Sequence, residues 1–95
     1  MKKPNSYLYP AVFTYEDGQI SVTWPDLPGC TTCGNTDVEA LKNAREAMSG
    51  HLYCMEEDED MIPKAASLND LKLEANERTV LVDVFMPDVR VAKKR

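Results

Sequence analysis

The sequence predicts an α+β fold, with one long helix and one short helix packed on a small antiparallel or mixed sheet of about four strands. Three observations carry this. Alternating residues flank the turn signal Asp17-Gly18, apolar residues recur at helical spacing between Asp37 and Met55, and a second alternating run fills Glu77 to Phe85. The elements follow the order strand, strand, strand, helix, short helix, strand, which suits a single layer of helix on a sheet.

The first strand runs from Tyr7 to Tyr15, with Tyr7, Tyr9, Ala11, Phe13 and Tyr15 on one face and Leu8, Val12 and Thr14 on the other. Pro10, which cannot donate to a ladder, makes its beginning an edge or an irregular entry. Asp17-Gly18 tolerates positive φ and predicts a tight antiparallel hairpin to a second strand carrying Ile20, Val22 and Trp24 inward. Pro25 halts that strand, and Pro28-Gly29 and Gly34-Asn35 add further turns around a short third strand at Cys30 to Gly34. The stretch from Ile20 to Thr36 is the piece onto which the rest packs.

Thr36 with Glu39 three residues on reads as a capping box, opening a helix from about Asp37 to Met55. Val38, Leu41, Met48, Leu52 and Met55 form its stripe, Ala40, Ala44 and Ala47 a small-residue flank, and Lys42, Asn43, Glu46 and Ser49 its wet side. The block Glu56-Glu57-Asp58-Glu59-Asp60 sits where the helix dipole is already negative, and is expected to end the helix. Ser67 and Asp70 suggest the cap of a short helix holding Leu68, Leu71 and Leu73. In the last strand Val80, Val82 and Val84 face one way and Leu81 and Phe85 the other, which predicts a central position. Pro87 ends it, and residues 87–95 are expected to trail away as a basic tail.

Ninety-five residues without a repeat or dividing linker suit one domain. With 43% hydrophobic and 28% charged residues the chain is globular rather than disordered, and neither a signal-peptide core nor a membrane-spanning run is present, which points to the cytoplasm. The net charge of −5 is uneven. Residues 1–60 hold four Lys/Arg against eleven Asp/Glu, and residues 61–95 hold seven against five. Such an acidic body repels nucleic acid and attracts cationic partners.

Cys30, Cys33, His51 and Cys54 have spacings compatible with zinc ligation and define the alternative function, a zinc- or thiol-dependent binding module. Against it, His51 and Cys54 continue the alanine flank of the helix, where a packed imidazole and a buried thiol are ordinary. No cofactor and no metal are therefore expected. Catalysis is not expected either, because Ala11-Val12-Phe13 puts no acid in the middle of the first strand and the lone histidine lies on a helix. The acidic block, read functionally, mimics a phosphate backbone and would dock on a basic, RNA-handling partner. Asp26, Glu56, Glu57, Asp58, Glu59 and Asp60 are the candidate partner-binding residues.

Tyr9-Pro10-Ala11-Val12-Phe13, Asp17-Gly18, Ser21-Val22 ahead of Pro25-Asp26-Leu27-Pro28-Gly29-Cys30, Gly34-Asn35-Thr36, Glu39-Ala40, Asn43-Ala44 and Val80-Leu81-Val82-Asp83-Val84 together resemble the HicB-like antitoxins, over about residues 7–86. The resemblance implies a partial ribonuclease H-like core without a catalytic centre. It also implies an antitoxin that binds and masks a small, basic, mRNA-cleaving toxin of the HicA type. Repression of its own operon is implied where a ribbon-helix-helix or helix-turn-helix segment follows the core, and that DNA-binding module is expected to be absent from these 95 residues. Unprotected strand edges would find partners, so a homo-oligomer, a dimer or higher, is expected.

Overall fold

In the computed structural model, which describes residues 3–66, 69 and 71–93, β1 (Ser6–Glu16) and β2 (Gln19–Thr23) form a hairpin in which Glu16 opposes Gln19 across Asp17-Gly18. Both turn residues have positive φ, 49° and 77°, as a two-residue turn matching strand twist requires. β3 (Thr31–Gly34) pairs antiparallel with β2, and β4 (Glu77–Phe85) with β1, giving the sheet order β3-β2-β1-β4. One helix, α1 (Asp37–Glu57), crosses one face, and a second, α2 (Met86–Lys93), follows β4 directly.

The core lies between α1 and the sheet. Tyr9, Ala11, Phe13, Ile20, Val22, Val82 and Val84 come from the strands, and Ala40, Ala44, Met48 and Leu52 from the helix. The inward row of α1 therefore runs at steps of four, starting on two alanines that let backbone approach backbone. Val38, expected in the stripe, is exposed, while Leu41 and Met55 pack at its margin.

Length matches length. From Asp37 to Glu56 the helix spans roughly 28 Å, and from Tyr7 to Tyr15 the strand spans roughly 26 Å. Each end is tied: the Tyr15 hydroxyl donates to Asp37 Oδ1 at 2.7 Å and the Tyr7 hydroxyl to Glu56 Oε2 at 2.9 Å. At the helix start, Glu39 N–H donates to Thr36 Oγ1 at 3.1 Å, and the Glu39 carboxylate accepts from the N–H of Asn35, one residue earlier than in the usual capping box. Asn43 Nδ2 donates to the Cys33 carbonyl at 2.9 Å, tying the helix to the outermost strand.

Two expectations are corrected. β4 is an edge strand, not a central one: its Val82 and Val84 are buried, but Leu81 and Phe85 on the far face are 50% and 54% exposed. Apolar character on both faces thus marks an uncovered surface here. The basic tail is a helix from Met86, because Pro87 both stops a ladder and presets φ for a first helical turn, with Asp88 early and Arg90 and Lys93 late. The short helix expected over Ser67–Leu73 falls partly outside the described residues.

Gly50 lies inside α1, and a Cβ there would meet only the flexible end of Lys93 at 3.7 Å. Gly50→Ala is expected to stabilise the fold by about 0.5–1 kcal/mol, read as a higher urea midpoint at unchanged slope.

Candidate functional site

The C-terminal end of α1 splits the acidic block. Glu59 takes a left-handed conformation (φ 56°), Glu59 N–H returns to Glu56 O at 3.2 Å, and Asp60 N–H returns to Met55 O at 2.9 Å, closing a Schellman motif without glycine. The helix consequently reaches Glu57, two residues beyond the expected end, and only then releases the chain. Glu57, Asp58, Glu59 and Asp60 are left exposed at the negative pole of the helix, with no basic residue in its last turn. Glu56 departs from the expected row: it is 6% exposed and faces inward.

What holds Glu56 inside is Arg90. The Arg90 guanidinium grips it through two nitrogens, Nε to Oε1 at 3.0 Å and Nη2 to Oε2 at 2.8 Å, while Nη2 also donates to the Pro4 carbonyl at 2.7 Å. Tyr7 supplies a third donor to the carboxylate. These bonds, Arg90 foremost, hold the Glu56 carboxyl below the usual carboxylate range, although burial opposes them. Burial first, and then the hydrogen bond to Glu56, pushes Tyr7 up to about 12.

Both shifts are stability statements. Glu56 contributes above the ordinary glutamate range, and its contribution is lost as pH falls through its lowered value. Tyr7 contributes fully below the ordinary tyrosine range, and its contribution is lost as pH climbs toward about 12. Thermal unfolding across pH is expected to show both limbs in the wild type and a diminished alkaline limb in Tyr7→Phe.

Beside the exposed carboxylates lies a cleft of about 730 Å³, lined by Tyr7, Leu8, Tyr9, Ile62, Pro63 and Lys64, with Glu59 and Asp60 on its wall. The segment that forms its far side is pinned twice: the Tyr9 hydroxyl donates to the Pro63 carbonyl, and the Ala66 N–H donates to Asp26 Oδ2 at 3.0 Å. Asp26 is half-buried and anchors this segment. Met61, next to the acids, is 91% exposed.

The four candidate metal ligands do not come together. Cys30 is buried, Cys33 and Cys54 are exposed, and no three His, Cys, Asp or Glu side chains among the described residues could share an ion. Strand periodicity is the reason: Cys30 precedes β3 on its inner side, whereas Cys33 pairs with Ser21 on the outer face. Burial pushes the Cys30 thiol up to about 11. Ellman's reagent is expected to label Cys33 and Cys54 quickly in the folded protein and Cys30 only on unfolding.

Arg90 and Tyr7 do not announce their role in the sequence. Their signal was weak: a lone arginine after a proline-marked start, and a tyrosine indistinguishable from its neighbours on β1. Asp83, on the outer face of β4, pairs with Arg45 of α1 at 3.3 Å. No helix among the described residues is long and apolar enough to cross a membrane.

A phage protein of Haemophilus phage HP1 is 44% identical over 59 residues, covering 61% of this chain and 44% of its own, so the chain spans less than half of that relative. The crystal structure of Burkholderia pseudomallei antitoxin HicB is similar with a TM-score of 0.69 at 30% identity, over 80% of this chain and 61% of that one. Its N-terminal domain alone gives 0.66 at 28% identity, over 80% and 95%. A toxin-antitoxin complex from Streptococcus pneumoniae shares the fold at 0.79 and 22% identity, over 87% and 71%. The profile described as HicB_like antitoxin of bacterial toxin-antitoxin system matches residues 9–95, and the chain belongs to that family.

Proposed function

We propose that this chain neutralises a small, basic, mRNA-cleaving toxin of the HicA type by covering the surface with which that toxin grips RNA. The supporting observation is the row of exposed carboxylates, Glu57 to Asp60, at the negative end of a 21-residue helix in a chain of the HicB-like antitoxin family. Four acids in one turn present a charge density like that of a phosphate backbone, so they compete for the same lysines and arginines. No bond is made or broken. Glu56 is outside this contact set because Arg90 already neutralises it, and Asp26 contributes by holding the cleft wall in place.

In this reading the pair works in the cytoplasm, and the chain self-associates through the outer edge of β4. Operator DNA is a partner only through a DNA-binding segment outside the described residues.

The test is toxin-catalysed RNA cleavage titrated with purified chain. Cleavage is expected to stop near stoichiometric addition, and the association rate to fall about tenfold or more between low and physiological-to-high salt, as for steered encounters. Undiminished cleavage in excess chain would overturn the proposal.

A further inference from the structure

Among the described residues, the backbone of β1 is open along part of one side, and the cleft lies there. The Asn5 carbonyl accepts from Met86 N–H at 2.7 Å, and Tyr15 donates to Asn76 O at 2.9 Å and accepts from Asn76 Nδ2 at 3.3 Å. Odd-numbered residues of β1 thus turn their backbone groups toward β4. Ser6, Leu8 and Pro10 turn theirs the other way, where β2 pairs only from Val12 onward. Pro10, lacking an N–H, falls on this flank, as proline at an edge should. Tyr7 and Tyr9 lie on one face of the strand and Ser6 and Leu8 on the other, yet all four line the same cleft, so the cleft follows the strand's edge rather than covering a face.

The geometry points to strand addition: an extended segment of a cationic partner protein pairs with the free groups of Ser6 and Leu8, its lysines or arginines toward Glu59 and Asp60 and its alternate apolar residues beside Leu8. This rests on the antitoxin reading for the partner's identity and supplies the mode of contact. Main-chain bonds would give affinity and alternate side chains specificity. Lys3 and Lys64 line the cleft together with Glu59 and Asp60, and the exposed Glu57 and Asp58 that immediately precede them in the chain tip the local charge toward acid. A second copy of this chain would bring its own acidic block against the first, which like-charge repulsion disfavours.

The experiment is amide hydrogen exchange on the isotope-labelled full chain with a hexapeptide of alternating arginine and valine, an alternating glutamate–valine hexapeptide serving as control. In the free chain Ser6 and Leu8 amides should exchange fast, and Tyr7 and Tyr9 slowly. At about ten times its Kd the cationic peptide should slow Ser6 and Leu8 about tenfold by mass action. Ser6→Pro, which removes one donor where a strand begins, should weaken the peptide severalfold at unchanged Tm. Peptide shifts confined to Glu57–Asp60 with unchanged exchange at Leu8 would overturn strand addition, and so would protection of Leu8 that appears with chain concentration alone. Both results leave the RNA-cleavage titration untouched, so the two readings fail separately.

Discussion

Replacing Arg90 with alanine is expected to cost about 3 kcal/mol, the low end for stripping one partner from a buried ion pair, because the Arg90 side chain is 22% exposed while that of Glu56 is 2% exposed. The carboxylate would be left inside with Tyr7 as its remaining side-chain donor, and α2 would lose its tie to both α1 and the Pro4 carbonyl. In a domain of this size such a loss lowers Tm by on the order of 15 °C. Urea denaturation measures it, and a control separates charge from packing. Glu56→Leu combined with Arg90→Met should cost much less than Arg90→Ala, since an apolar pair leaves no orphaned charge. Equal losses in the two variants would contradict the assignment.

Gly34→Ala should be comparably damaging for an unrelated reason. A Cβ at Gly34 would lie 2.6 Å from Ala40 N and 2.8 Å from Ala40 Cα, inside any real contact distance, and these atoms are helix backbone that cannot swing aside. Either β3 withdraws from β2 or the first turn of α1 shifts, at about 3 kcal/mol, the upper range for overpacking. The Asn43 bond to Cys33 O should go with it, read as loss of amide protection along β3. Gly50→Ala in the same helix has the opposite expected sign, so the pair of variants tests sterics rather than glycine content.

Close approach also explains what was legible from residues. Gly34, Ala40 and Ala44 mark a strand end pressed on a helix start, and that constraint is local enough to leave a spacing in the chain. The hairpin was readable because Asp17-Gly18 is demanded by the turn. The position of β4 was not, because an apolar outer face reads the same whether another strand covers it or nothing does; Leu81 and Phe85 distinguish the cases only in three dimensions. Helix α2 was hidden by Pro87, whose two roles at a strand end and a helix start are identical in sequence. Among the site residues, the exposure of Glu57 to Asp60 follows from charge, but the inward turn of Glu56 depends on Arg90, which lies 34 residues away.

Occlusion by the acidic end of α1 is read in the growth of cells making a HicA-type toxin together with this chain. Wild-type chain should restore growth. The fourfold variant Glu57→Lys, Asp58→Lys, Glu59→Lys, Asp60→Lys, checked by circular dichroism to be folded, should fail to restore it, whereas Glu57→Gln alone should succeed. Full rescue by the folded fourfold variant would contradict occlusion by these acids.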